Sequence, residues 1–110
     1  MDKATGDTMA DVLRGLVVEE EVELTLVELC QACGSEREQV VRWVGEGVLE
    51  VSGDAPEEWR FRGPALRRAR LAASFMRELD VNVPGVALAL DLLDEIEALR
   101  SQLQRLRGWR

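Results

Sequence analysis

The residues best suited to chemistry in this chain are Cys30 and Cys33, whose CxxC spacing is typical of a metal site or a redox pair. The spacing puts both sulfurs on one face of a helix. Two thiols are only half of a structural zinc site, and the 110 residues contain no histidine and no third cysteine. A thioredoxin-type pair lies at a helix start, whereas these cysteines close a predicted helix. We therefore interpret both as buried small hydrophobes and predict no metal and no other cofactor.

The lack of histidine also argues against an enzyme. Histidine is the commonest general acid or base, and without it serine, threonine and cysteine lack their usual activating base. The sequence therefore predicts a non-catalytic protein that acts through its surface.

Charge is distributed unevenly along the chain. Residues 1–24 carry seven acids and two bases, a net of −5, and residues 25–62 carry eight acids and four bases, a net of −4. Residues 63–110 carry six acids and eight arginines, a net of +2, which completes the total of −7. No run approaches the ~20 apolar residues of a membrane span, and the first residues do not resemble a signal peptide. We expect a cytoplasmic protein.

Two short helices are predicted in the first half of the chain. Thr25–Glu28 has the pattern of a capping box, which starts a helix, and Gly34 ends that helix. Ser35–Glu38 repeats the pattern and starts a second helix, which Gly45 and Gly47 end. Two capped helices joined by a glycine turn are typical of a helix-turn-helix unit.

Short strands are predicted to add a wing to this unit. Val48–Val51 and Trp59–Arg62 alternate as strands do, and Ser52–Glu57 between them has the composition of a turn. Glu19–Leu24 is a further candidate strand. The aromatic residues Trp43 and Trp59 are predicted to pack the helices against the wing.

Two further helices follow. Gly63 and Pro64 start the third, residues 80–83 form a bend, and Pro84 fits the first turn of a long fourth helix. Apolar residues then recur at heptad spacing, which is typical of a coiled coil. They are Leu92, Ile96, Leu99, Leu103 and Leu106. We predict a symmetric homodimer through these leucines, with folding back onto the same chain as the alternative.

The predicted organisation is one folded domain in three parts. Residues 1–18 form a flexible acidic arm, residues 19–80 form the winged-helix unit with its third helix, and residues 81–110 form the long dimerisation helix. The fold class is mainly α, with a small β wing.

Three stretches resemble one family. Leu24–Cys30 with Gly34, Trp43–Glu50 and above all Asn82–Ile96 are similar to the CbpM chaperone-modulator family, a branch of the MerR-like winged helices. The resemblance extends over residues 22–106. The chain departs from the family in its long acidic N-terminal arm, and in Val51, where the family often has proline.

The resemblance implies that the protein binds the J-domain of a DnaJ-like co-chaperone of the CbpA type and inhibits it. J-domains carry a basic helix, so an acidic competitor is physically sensible. The candidate partner-binding residues are Asp91, Asp94 and Glu95, with Glu36 and Glu38 as a second patch. Ordinary solvated charge is the alternative for the first three, and helix capping partly explains Glu38.

A DNA-binding transcriptional regulator is the alternative function. A helix-turn-helix unit commonly reads the major groove, and Arg37, Arg42, Arg60 and Arg62 would then contact DNA. The presumed recognition helix, however, carries three glutamates against two arginines. DNA-binding surfaces need clustered positive charge, so the net of −4 over residues 25–62 disfavours nucleic acid as a partner.

Overall fold

The protein is mainly helical, as predicted. The computed structural model describes residues 22–108. Its elements are strand β1 (Glu23–Leu24), helices α1 (Leu26–Cys33) and α2 (Arg37–Gly45), a 3-10 turn (Pro56–Glu58), strand β2 (Phe61–Arg62), and helices α3 (Gly63–Glu78) and α4 (Val83–Arg107). The predicted flexible arm, residues 1–18, lies outside the described residues, as do Glu19, Glu20 and Glu21 of the first candidate strand.

Helix α1 begins with the predicted capping box. The backbone N–H of Glu28 donates to Thr25 Oγ1 at 3.1 Å, and the backbone N–H of Thr25 donates to Glu28 Oε1 at 2.9 Å. These bonds satisfy two N–H groups that a helix start leaves without intrahelical partners. Gly34 ends the helix with φ at 70°, a left-handed conformation that costs glycine little.

The second predicted capping box, Ser35–Glu38, is wrong. Helix α2 starts one residue later than the pattern indicated, with Glu36 at the N-cap and no side-chain capping bond. Ser35 instead belongs to the turn that closes α1, because its backbone N–H donates to the carbonyl of Cys30 at 3.1 Å. That bond places the Ser35 hydroxyl outside the capping position.

This difference between Thr25 and Ser35 gives a direct test. We expect Thr25→Ala to lower the free energy of unfolding by about 1 kcal/mol, the usual cost of losing an N-cap. Ser35→Ala, the matched control, should change it by less than about 0.5 kcal/mol. Urea denaturation followed by circular dichroism measures both values, and equal losses would contradict the assignment.

The strand predicted over Val48–Val51 is also wrong. Val48 and Leu49 are buried, and their backbone N–H groups donate to the carbonyl of Trp43 at 2.8 and 3.4 Å. The segment therefore leaves α2 as a turn that enters the core. Toward the wing it forms one isolated bridge, between Ser52 and Arg60.

The wing is completed by the start of the described chain. Strand β2 pairs antiparallel with β1, with Glu23 opposite Arg62 and Leu24 opposite Phe61. The return strand thus has a partner almost 40 positions earlier in the sequence.

The core lies between the helix-turn-helix unit, the wing and the two later helices. Trp43 and Phe61 are fully buried, and Phe61 meets the half-buried Trp59 edge to face at 6.0 Å between ring centroids. The predicted aromatic packing is thereby confirmed. Leu79, which follows the last residue of α3, is exposed.

Helix α4 packs against the core only through its first 11 residues, from Val83 to Leu93. Asn82 caps it by accepting from the backbone N–H of Gly85 at 2.8 Å, and Pro84 lies in the first turn. Val86 and Leu90 are buried, whereas residues 94–108 are all exposed. The 25-residue helix is about 38 Å long, so more than half of its length extends beyond the core.

Candidate partner-binding site

Two of the predicted partner-binding acids meet at one arginine. Arg68, on α3, donates from Nη1 to Asp94 Oδ2 at 2.7 Å, and its Nη2 lies 3.8 Å from Asp91 Oδ1. Its Nε donates to the carbonyl of Val48 at 2.8 Å. One guanidinium therefore joins α3, α4 and the segment after α2, through charge-assisted hydrogen bonds that are stronger than neutral ones.

The two carboxylates remain accessible despite this contact. The Arg68 side chain is only 23% exposed, whereas the side chains of Asp91 and Asp94 are 75% and 68% exposed. A carboxylate offers about four lone-pair positions, so each acid can accept further hydrogen bonds from solvent or from another protein. Arg68 contacts each carboxylate on one side and leaves the other side accessible to solvent.

The other predicted partner-binding acids do not form an ion pair with Arg68. Glu95 is exposed on α4 and forms no ion pair within residues 22–108. Glu36 and Glu38 are exposed at the start of α2. No hydrogen bond or ion pair among the described residues joins that second patch to the acids of α4.

The leucines of the predicted coiled coil form an exposed apolar seam. Leu92, Ile96, Leu99, Leu103 and Leu106 are 46–69% exposed. At 100° per residue they fall within an arc of about 80°, roughly 120° around the helix from the buried Val86 and Leu90 and the half-buried Leu93. The seam is therefore a separate face from the one that packs on the core. We refer to these five residues as the leucine seam.

The sequence reasoning missed two residues of this region. Leu88 is exposed and precedes Leu92 by one helical turn, so it extends the seam toward the core. Its i, i+4 spacing was the available signal. Arg68 had no such signal, because its partners lie 20 and 26 positions away in the sequence.

Three of the four arginines proposed for DNA binding contact residues of the wing. Arg37 lies 3.8 Å from Glu57, and Arg62 lies 3.7 Å from Glu23. Arg60 donates to the carbonyl of Trp59 at 2.8 Å, and Arg42 lies in the last turn of α2. Acidic neighbours thus accompany two of the four arginines, which reduces the positive field that they would present to phosphates.

A groove lies between the wing, α3 and the exposed part of α4. Its volume is about 1400 Å³. Apolar side chains that line it include Val51, Leu71 and Leu93, and Asp91 and Asp94 lie along the α4 wall. Asp91 and Asp94 are therefore part of a concave surface and not of an isolated helix face.

The cysteines have the environment of structural thiols. Cys33 is buried, and Cys30 is half-buried. Burial raises the pKa of Cys30, the adjacent Cys33 raises it further, and Arg37 opposes the rise. A raised pKa reduces the reactive thiolate at neutral pH. Within residues 22–108, no three His, Cys, Asp or Glu side chains form a group able to hold a metal ion, and none of the helices found there has the length and apolarity to cross a membrane.

Comparison with known proteins gives one family and a consistent set of relatives. The family model described as MerR HTH family regulatory protein matches residues 24–108. A chaperone modulatory protein CbpM of Coxiella burnetii (strain Dugway 5J108-111) is 41% identical over 95 residues, which cover 86% of this chain and 90% of that protein. Proteins of the same name from Pseudomonas putida (strain W619) and Pseudomonas entomophila (strain L48) are 44% and 40% identical over 81 residues, covering 74% of this chain and 80% of each relative.

Proposed function

The chain belongs to the MerR HTH regulatory family, among the CbpM chaperone modulatory proteins, and on that premise we propose that it is a non-catalytic inhibitor of a DnaJ-like co-chaperone. The proposed partner is the J-domain of a co-chaperone of the CbpA type. Inhibition requires no chemistry at the site: the modulator occupies the J-domain surface that would otherwise engage the DnaK-type chaperone.

This proposal rests mainly on the exposed carboxylates of Asp91 and Asp94. Their carboxylates are fixed by a largely buried arginine and exposed on their outer faces. A fixed acidic pair suits a basic helix because the carboxylates lose little conformational freedom on binding. Charge complementarity of this kind also accelerates association and weakens as salt is added.

We further propose that the active form is a homodimer joined through the leucine seam. Five large apolar side chains exposed along one helix face are unusual for a monomer. Their heptad spacing fits a second copy of the same helix. The seam and the Asp91–Asp94 pair lie on different sides of α4, so a dimer would carry two accessible acidic sites.

The test is calorimetric titration of the full-length protein with the J-domain of the co-chaperone from the same organism. We expect saturable binding at micromolar affinity or tighter. Charge reversal by Asp91→Lys with Asp94→Lys should weaken binding at least tenfold, about 1.4 kcal/mol. The dimer mass should not change, because neither acid belongs to the leucine seam.

Two matched variants make this result specific. Asp54→Lys with Glu78→Lys changes the net charge equally, through exposed acids outside α4, and should leave the affinity within about twofold, since scattered exposed charges contribute little. Glu36→Lys with Glu38→Lys tests the second patch. Equal losses in all three pairs would indicate a net-charge effect, and unchanged affinity in the first pair would remove Asp91 and Asp94 from the interface.

DNA binding is the second candidate function, and the helix-turn-helix family match favours it. The residues involved would be Arg37, Arg42, Arg60 and Arg62. Fluorescence anisotropy with labelled genomic fragments tests this directly. Specific binding that Arg60→Glu with Arg62→Glu abolishes, without any response to the J-domain, would replace the modulator proposal.

A further inference from the structure

The groove between the wing, α3 and α4 has the features of a binding site for an apolar, acidic peptide. Val51, Leu71 and Leu93 provide apolar lining. Its volume of about 1400 Å³ exceeds the roughly 900 Å³ of two helical turns, taken as a cylinder about 12 Å long and 10 Å wide. The volume is therefore sufficient for a short helix.

The lining of the groove carries five arginines (Arg60, Arg62, Arg67, Arg68 and Arg100) and four acids (Glu50, Asp91, Asp94 and Glu97), a net charge of +1. Asp91 and Asp94 are already paired with Arg68. Arg67 on α3 and Arg100 on α4 line the groove from opposite sides, and within the described part of the chain neither forms an ion pair. Arg60 adds a further positive charge on the wing side. An acidic segment would be attracted to this surface.

Residues 1–21 precede the described part of the chain, which begins at Val22 beside this groove. Glu23 lies opposite Arg62 in the antiparallel pair, so the described chain begins next to the start of α3. Arg62 and Pro64, at that point, both line the groove. A 21-residue segment can extend about 70 Å, beyond the 50 Å longest dimension of the structure, so its length does not limit its reach.

The composition of this segment complements the groove. Residues 1–21 carry six acids and two bases, a net charge of −4. Their apolar residues Met9, Val12, Leu13 and Leu16 follow i, i+3, i+4, i+7 spacing, which places them on one face of a helix. Asp7 and Asp11 precede and interrupt this set.

We propose that the N-terminal segment binds in the groove of its own chain, with Met9, Val12, Leu13 and Leu16 against the apolar lining and its acids toward Arg67 and Arg100. In that position it covers the wall that carries Asp91 and Asp94. The segment thereby competes with a partner that approaches these acids. This competition, though not the docking itself, rests on the function proposed above.

The docking is tested by site-specific cross-linking in the full-length protein. A photo-reactive benzoylphenylalanine replaces Leu13, and an equimolar mixture of unlabelled and nitrogen-15-labelled protein is irradiated. Mass spectrometry should find cross-links to residues 63–71 or 93–104, within chains of one isotope. Cross-links elsewhere, or none, would overturn the proposal. Cross-links that join light and heavy chains would show that the segment docks on a second copy.

Two arginine variants control for charge. Arg67→Glu with Arg100→Glu should reduce the yield at least fivefold, because both side chains line the groove. Arg105→Glu with Arg107→Glu makes the same change near the end of α4, outside the groove lining, and should leave the yield within twofold. Similar losses in both pairs would contradict docking at this surface.

Competition is tested separately by titration with the J-domain. Asp2→Asn, Asp7→Asn and Asp11→Asn together should tighten J-domain binding about three- to tenfold, because the segment would occupy the groove less. Unchanged or weaker affinity would overturn the competition. If the J-domain does not bind at all, the proposed function fails, while the cross-linking result still decides whether the segment docks.

Discussion

Glutamate at both Leu99 and Leu103 is expected to convert the proposed homodimer to a monomer. The mass in solution should fall from about twice the 12.3 kDa chain mass to the chain mass itself. Both side chains lie in the leucine seam, where a dimer would bury them against a second helix. Two charges placed there on each chain would be desolvated without a partner, which costs several kcal/mol.

Sedimentation velocity measures this change, and the same helix supplies the control. Ser101→Glu with Gln102→Glu adds the same charge at exposed positions outside the leucine seam, so this variant should keep the dimer mass. Circular dichroism should show that both variants retain their helices, because residues 99–103 make no contribution to the core of one chain. A wild-type protein that is monomeric at micromolar concentration would contradict the seam as a dimer interface.

Trp43→Ala is expected to unfold the protein or leave it marginally stable. Trp43 is fully buried, and its carbonyl accepts the backbone N–H groups of Val48 and Leu49. Truncating a buried tryptophan costs about 3–5 kcal/mol, against a total stability of roughly 5–15 kcal/mol for a domain of this size. The loss should appear as a large fall in the guanidinium midpoint, followed by circular dichroism because the fluorescence of the indole is also lost.

A comparison with Trp43→Phe tests the contribution of the buried indole N–H. The indole Nε1 is buried, and its N–H finds no acceptor among the described residues. A buried donor without a partner costs about 1–3 kcal/mol, so replacing the indole by a phenyl ring removes a penalty along with packing. We expect Trp43→Phe to cost no more than about 2 kcal/mol. A loss equal to that of Trp43→Ala would show that the N–H contributes a favourable bond.

The parts of the fold that sequence predicted well depend on contacts between near neighbours. The Thr25–Glu28 capping box and the Pro84 helix start are of this kind, because each involves residues within one helical turn. The exposed seam of α4 was predicted for a related reason, since heptad spacing is a local property of the sequence.

The predictions that failed concern distant partners or a competing local bond. Val48–Val51 has the pattern of a strand, but β2 pairs with Glu23–Leu24 instead. The backbone N–H of Val48 donates to the carbonyl of Trp43. Ser35 has the right spacing for a cap, but its N–H is already used by the turn after α1. Spacing alone cannot show which of two available bonds the tertiary structure selects.

The sequence identified two acids of the candidate site, but it did not indicate that both contact the same arginine. Asp91 and Asp94 could be chosen from the charges that follow an apolar run. Their common contact with Arg68, which is 20 positions from Val48 and 26 from Asp94, depends on how α3 and α4 cross. Without that contact, the two acids could not be distinguished from Glu95, which lies one residue further along the same helix.

Arg68 also gives α4 the mechanics of a lever. The contact with Asp94 is a fulcrum, and the 13 residues from there to Arg107 form an arm of about 20 Å. A tilt of about 10° at this point moves the tip by roughly 3.5 Å, by the same helix geometry. The same guanidinium also donates to the carbonyl of Val48. A tilt of α4 at Asp94 is therefore coupled to the position of the segment that leads into the wing.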